Sequence, residues 1–216
     1  MFIITLVFLV TVQGLDFTQC DFANTTKQRI QWLDEILIET QKTLARHNVT
    51  TWAVQSTLLG IVRDKRTMPW TWDVDIQTFT SNIPLICQNN SKIRLELQAK
   101  GYRIYHCFDN FARVCKAKQS DEPTKYISTG EPVESRLDIY GASKRLDGKY
   151  DVVFSPCKWD LDQYLLPVRP YTWDEGRKTI IGPRDYDYFL QMAYGVNWKI
   201  PIKYGGGRDD LCTYIR

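Results

Sequence analysis

Residues 55–79 read QSTLLGIVRDKRTMPWTWDVDIQTF, and the organisation of the chain follows from this stretch. Val74 and Ile76 alternate with Asp73, Asp75 and Gln77, the period-two pattern of a strand with one polar face. Asp73 and Asp75 therefore project to the same side. Neighbouring carboxylates repel one another unless a cation lies between them. Hard oxygen ligands at this spacing suit Mg²⁺ or Mn²⁺, ions that also bind substrate phosphate. Asp-x-Asp alone is short, and it equally describes a solvated strand face. Its neighbours add weight to the metal reading. Ser56 and Thr57 open a short helix whose first N–H groups are free to hold phosphate, and Arg63 can pair with phosphate oxygens in bidentate fashion. The same residues also fit a simple helix cap and a surface charge. Trp70 and Trp72 flank the acids, where an aromatic ring could stack on a base or sugar.

Outward from this stretch, Ile30, Leu33, Leu37 and Leu44 recur at helical spacing and predict a helix over 26–47, with capping residues at Asn24, Thr25 and Thr26. Trp52 to Val54 reads as a short strand leading into the Ser56 turn. A second helix is predicted over 91–100, stopped by Gly101. Short strands are predicted over 102–107, 111–116, 136–140 and 150–154. Asp138 lies mid-strand between Leu137 and Ile139, which makes it a candidate third ligand or general base. The polar 118–135 stretch reads as a loop or insertion, and Gly205 to Gly207 as a flexible tail. Pro183 and Gly195 bracket a last helix over 184–194. Strands and helices mix irregularly, so the expected class is α+β: a small mixed β-sheet flanked by helices.

Bulk properties bound the function. The 216 residues suit one domain, and 44% apolar residues suffice for its core. With 28 basic and 25 acidic side chains the net charge is +3, which provides no general field for nucleic acid. Residues 1–14 contain an apolar run too short to span a bilayer but suited to a signal peptide, leaving 15–216 as the domain. No other stretch is apolar and long enough to cross a membrane. Six cysteines, Cys20, Cys87, Cys107, Cys115, Cys157 and Cys212, suggest three disulfides whose pairing the sequence leaves open. Cys107 and Cys115 are placed to face each other across a hairpin. Sequons occur at Asn24, Asn48 and Asn89. Together these features point to the secretory pathway, as a Golgi-lumenal or secreted protein. His47 and His106 have no evident partners and receive no role.

The run Ser56-Thr57-Leu58-Leu59-Gly60-Ile61-Val62-Arg63, followed by Pro69-Trp70-Thr71-Trp72-Asp73-Val74-Asp75-Ile76, resembles the signature of the LicD family. That family includes bacterial phosphorylcholine transferases, fukutin and fukutin-related protein. Its pattern is approximately G-T-L-L-G-x-x-R, a spacer, then P-W-D-D-D-x-D. Leu137-Asp138-Ile139 resembles the later strand that carries the third acid. Pro183 to Tyr186 and Tyr194-Gly195 with Trp198 resemble the closing segment. Ser56 replaces the usual first glycine, and Thr71 and Trp72 replace two acids. The resemblance implies a nucleotidyltransferase-like fold and a divalent cation held by Asp73, Asp75 and Asp138. It places Ser56, Thr57 and Arg63 near the donor phosphates, with Trp70 as a further substrate contact. The implied activity moves a phospho-alcohol, such as phosphocholine or ribitol phosphate, from a CDP-activated donor to a glycan hydroxyl. Two rival readings stand beside it: a secreted non-catalytic binder, supported by Thr71 and Trp72, and a nucleotide-sugar glycosyltransferase, which also uses Asp-x-Asp.

Overall fold

Leu33, Ile36, Leu37 and Leu44 line one side of the first helix with no solvent exposure, and that apolar stripe seats the helix on the sheet. Its start is fixed by Thr25, whose hydroxyl accepts from the Gln28 N–H at 3.1 Å. The computed structural model describes residues 15–21, 23, 25–119, 135–152 and 157–201. The expected signal segment, Asn24, most of the 118–135 stretch, the glycine tail and Cys212 lie outside the described residues.

In chain order the elements are β1 (Leu15–Cys20), α1 (Thr26–Arg46), β2 (Thr51–Ala53) and α2 (Gln55–Leu59), the last continued by a π-helical turn, Gly60–Asp64. There follow β3 (Asp73–Phe79), α3 (Ile83–Cys87), α4 (Lys92–Ala99), β4 (Tyr102–Phe108), β5 (Phe111–Gln119) and β6 (Arg136–Lys144). The remainder is β7 (Tyr150–Val152), β8 (Lys158–Trp159), α5 (Leu161–Tyr164), β9 (Arg169–Trp173), β10 (Lys178–Gly182) and α6 (Tyr186–Tyr194). Strands β1, β5, β6, β3 and β2 lie side by side; β4 joins β5, while β7 joins β6 and β8. Only β3 and β6 run parallel among these pairs, so the sheet is mixed and the class is α+β.

The two faces of the sheet differ in chemistry. Val74, Ile76, Leu137, Ile139, Ala112 and Val114 are fully buried on one of them. Helix α1 packs there: Lys116, two residues beyond Val114 on β5, holds its Nζ 4.6 Å from the centre of the Trp32 ring on α1. The other face carries Asp73, Asp75 and Gln77 on β3, and Asp138 and Tyr140 on β6. Beneath the acids this face becomes aromatic. The Trp52 indole donates to the Gln77 side chain at 2.8 Å, and its ring lies 5.3 Å from that of Phe79.

Helix α1 also buries polar groups. The Gln41 side chain accepts from the Ile181 N–H at 2.8 Å and donates to the Ile181 carbonyl at 2.9 Å, mimicking a strand partner for β10. Asp34 is 4% exposed, accepts from the Thr67 hydroxyl and pairs with Lys178 at 2.6 Å. The predicted elements between 26 and 144 are present, with β5 and β6 longer than expected and Lys118 part of β5. The last helix begins two residues later than predicted, at Tyr186, and β7 is described as far as Val152, with 153–154 outside the described residues. Strand β1, helix α3 and the β9–β10 hairpin were not predicted. In that hairpin Pro170 and scattered charges break the apolar alternation, and the turn at Asp174, Glu175 and Gly176 has left-handed backbone angles.

Cys107 and Cys115, although they flank the β4–β5 turn, do not pair with each other. Cys20 bonds to Cys115 and Cys87 to Cys107. Strand register explains the difference: Arg103, not Cys107, lies opposite Cys115, and Cys107 sits in the irregular register between Tyr105 and Phe108. The loops closed by the two bridges span 95 and 20 residues. On chain entropy, removing the first should cost about 4.7 kcal/mol and removing the second about 3.3 kcal/mol. Denaturant unfolding of the Cys20→Ser/Cys115→Ser and Cys87→Ser/Cys107→Ser double variants checks the order, with the first the less stable.

Candidate active site

Parallel pairing of β3 with β6 puts Asp73 opposite Arg136, Asp75 opposite Asp138 and Gln77 opposite Tyr140. On the next strand, Arg113 lies opposite Asp138 and Phe111 opposite Tyr140. Directly opposed residues share a face, so the register alone assembles three acids, two arginines and a tyrosine on one surface. One carboxylate oxygen from each of Asp73, Asp75 and Asp138 lies within 4.8 Å of the other two. Asp75 and Asp138 are 4% and 3% exposed, whereas Asp73 at the start of β3 is half-buried.

Each acid is held individually. The Ser56 hydroxyl donates to Asp75 Oδ2 at 3.3 Å, and the Tyr140 hydroxyl reaches Asp75 Oδ1 at 3.1 Å and Asp138 Oδ2 at 3.4 Å. Arg113 grips Asp138 through Nε at 2.9 Å and a terminal nitrogen at 3.3 Å. Arg136 donates to Asp73 Oδ2 at 3.3 Å and holds its Nε 3.5 Å from Asp138 Oδ1. Thr71, standing where the resemblance expects an acid, donates to Asp73 Oδ1 at 3.2 Å and to the Asp73 carbonyl at 2.9 Å.

Burial raises the Asp75 carboxyl to about 8, and the negative charges of Asp73 and Asp138 add to the rise. Asp138 is also raised by burial, although Arg113 and Arg136 pull it back. Burial lifts the Tyr140 and Tyr194 hydroxyls well above the ordinary phenol value, with the nearby acids contributing. An all-carboxylate donor set, two of whose members are buried together, fits a hard divalent cation.

The residues singled out upstream take distinct places. Thr57 accepts the backbone N–H of Asp75 at 2.7 Å, so its hydroxyl sets the height of β3 beside α2. Gly60 is needed for close approach: a Cβ there would lie 2.7 Å from the Arg66 carbonyl. Arg63 turns to Asp64, with bonds of 2.8 and 2.9 Å, and to the Trp198 carbonyl at 3.3 Å. Trp70, three residues before Asp73, is 63% exposed. Trp72 is covered by the Arg29 guanidinium, 3.9 Å from the ring centre, and Arg29 also donates to the Pro69 carbonyl at 2.7 Å. Arg113, Arg136 and Tyr140 were not predicted as site residues. Arg136 was within reach of the sequence, being two positions before Asp138 on one strand face. Arg113 depends on hairpin register and was not.

The family model described as LicD/FKTN/FKRP, nucleotidyltransferase domain, matches residues 48–155, which spans β2, α2, the acidic strand and β6. The chain belongs to this family. No curated protein sequence matches it. Among solved structures, one of ANT(2")-Ia in complex with adenylyl-2"-tobramycin is 14% identical, with a TM-score of 0.39 over 70% of this chain and 68% of that one. The lincomycin-bound lincosamide adenylyltransferase LnuA is 15% identical, with a TM-score of 0.38 over 69% and 79%. These likenesses are loose and decide nothing about chemistry. Membership of the LicD/FKTN/FKRP family makes a transferase of the phospho-alcohol type the relevant class, and the acidic cluster falls within the matched segment.

In this LicD-type site the raised Asp75 sets a pH dependence. Between the ordinary aspartate value of 3.8 and about 8, the folded protein holds a proton that the unfolded chain has released. Metal-free stability therefore falls as pH rises through that window, by up to about 1.4 kcal/mol per pH unit. Thermal melts in chelator from pH 5 to 8.5 should show this decline, and Asp75→Asn should flatten it.

Proposed function

We propose that this protein transfers a phospho-alcohol from a CDP-activated donor to a glycan hydroxyl, with Mg²⁺ or Mn²⁺ held by Asp73, Asp75 and Asp138. The observation that carries the reading is the convergence of these three carboxylates within 4.8 Å inside the family-matched segment. When bound, the cation would neutralise diphosphate charge and steady the transferring phosphoryl group. The chain's own residues have separable tasks. Ser56 and Tyr140 hold Asp75 in place, and Thr57 fixes the backbone beneath it. Ser56 and Thr57 lie at the opening of α2 near the donor phosphates, with Arg63 nearby, and exposed Trp70 offers a ring to base or sugar. Asp138, raised by burial, accepts the proton of the attacking glycan hydroxyl. The hydroxyl oxygen bonds to the alcohol-bearing phosphorus, the bond to the bridging oxygen breaks, and CMP leaves.

A second reading, a non-catalytic secreted binder, draws on Thr71 bonded to Asp73 and on the guanidiniums that already compensate the acids. One experiment separates the two. In thermal-shift titrations with CDP-choline and CDP-ribitol, wild type should be stabilised only when Mn²⁺ is present, by about 2–3 kcal/mol at a hundredfold excess over Kd. Asp75→Ala should lose that response. CMP release in the presence of a glycan acceptor then marks turnover, whereas absence of any CDP response in oxidised, folded protein favours the binder.

We also place the protein in the secretory pathway, a reading that its disulfides favour. Among the described residues, no helix is long and apolar enough to cross a membrane. Asn48 and Asn89 are exposed, and Asn48 sits towards the Phe79 end of β3, away from the acids: Thr51, three residues after it, pairs with Thr78. A glycan on Asn48 would leave the site open. Expressed through a eukaryotic secretory pathway, the protein should lose mass on peptide N-glycosidase treatment, with stepwise smaller losses in Asn48→Gln and Asn89→Gln.

A further inference from the structure

Arg113 and Arg136 belong to no motif singled out in the sequence, yet each contacts the acid cluster. Both side chains are about a quarter exposed, at the rim of a largely buried site. Arg113 spends Nε and one terminal nitrogen on Asp138 and a third nitrogen on His106 Nδ1 at 3.2 Å. The hold of Arg136 is looser. It makes a 3.3 Å bond to Asp73, and among the described residues its buried Nε has no hydrogen-bond partner. Two guanidiniums therefore sit on the carboxylate oxygens that a divalent cation would also need. A cation brought to these carboxylates meets the positive charge of the guanidiniums, so each weakens the other's hold on the acids. A guanidinium displaced from a carboxylate keeps its planar fork of donors, which matches phosphate as well as it matches carboxylate.

We infer that Arg113 and Arg136 form a partner-exchanging anion subsite: they hold Asp138 and Asp73 in the absence of metal and grip the oxyanions of the donor's diphosphate when metal and donor bind. This rests on the donor reading above and adds to it two phosphate-binding residues, Arg113 on β5 opposite Asp138 and Arg136 on β6 opposite Asp73. The exchange keeps charge balanced in both states: two arginines offset the acids when the site is empty, and the same two offset the diphosphate when it is full. It also has a signature that a purely structural ion pair lacks. Removing an arginine takes a competitor away from the metal and a partner away from the phosphate, so the two affinities move in opposite directions.

The test uses disulfide-intact protein. Mn²⁺ affinity without nucleotide is read from the electron paramagnetic resonance signal of the free ion, and CDP affinity at saturating Mn²⁺ is read by calorimetry. In Arg113→Gln and Arg136→Gln, Mn²⁺ should bind several-fold more tightly, while CDP should bind about 10- to 100-fold more weakly. Arg113→Lys, which retains charge but not the fork, should fall between wild type and Arg113→Gln and serves if the glutamine variant fails to fold. If both affinities weaken together, or CDP affinity is unchanged, the inference is overturned while the donor reading stands. If wild type binds no CDP with Mn²⁺, it is the donor reading that fails. The same variants are then titrated with inorganic pyrophosphate, and the arginine subsite survives only if wild type binds it and the glutamine variants bind it more weakly.

Discussion

Everything at the candidate site depends on the parallel pairing of β3 with β6 in the register that sets Asp75 beside Asp138. Placing two carboxylates next to each other, nearly out of water, is unfavourable for both the burial of charge and the repulsion between charges. A fold keeps such an arrangement only when the surroundings compensate for it. Here they do so at short range, through the Tyr140 hydroxyl shared between the two acids, the Ser56 hydroxyl on Asp75 and the Arg113 fork on Asp138. The proton retained by Asp75 is part of the same compensation. A divalent cation held by the same carboxylates would take over much of that task.

The scaffold that tolerates this is asymmetric. One face of the sheet is filled by fully buried aliphatic side chains under α1. The acidic face can then be polar at its upper edge because Trp52, Phe79 and Phe111 close it below. Helix α1 ties distant parts of the chain to the same frame. Arg29 pins the Pro69–Trp72 loop next to the acids, Asp34 bridges Thr67 and Lys178, and Gln41 docks the β10 strand. Such buried polar ties specify one arrangement rather than adding much stability, because each must offset its own desolvation.

Much of this was legible in the amino-acid sequence. The helix from Thr26, the polar-faced strand from Asp73, the strand around Asp138 and the mixed α+β class follow from periodicity and caps, which are local properties of the chain. The acid triplet was legible too, because Asp73 and Asp75 are two apart on a strand and Asp138 interrupts an apolar one. The β9–β10 hairpin and β1 were not, since their residues lack clean alternation and are held by partners far along the chain, such as Gln41 for Ile181 and the end of β5 for β1.

By itself, then, the sequence determined which residues are chemically able to hold a cation, on what kind of element each lies, and to which family the signature points. Tertiary structure alone decided which strands are neighbours and in what register. From that register came the direct opposition of Asp75 and Asp138 and the placement of Arg113 on Asp138, while packing between elements distant in the chain set the pairing of Cys20 with Cys115 and of Cys87 with Cys107. The physical reason is that a strand's own pattern states which side chains share a face but carries no information about the neighbouring strand. A shift of one residue in pairing would leave every local propensity intact and place a different side chain beside each acid.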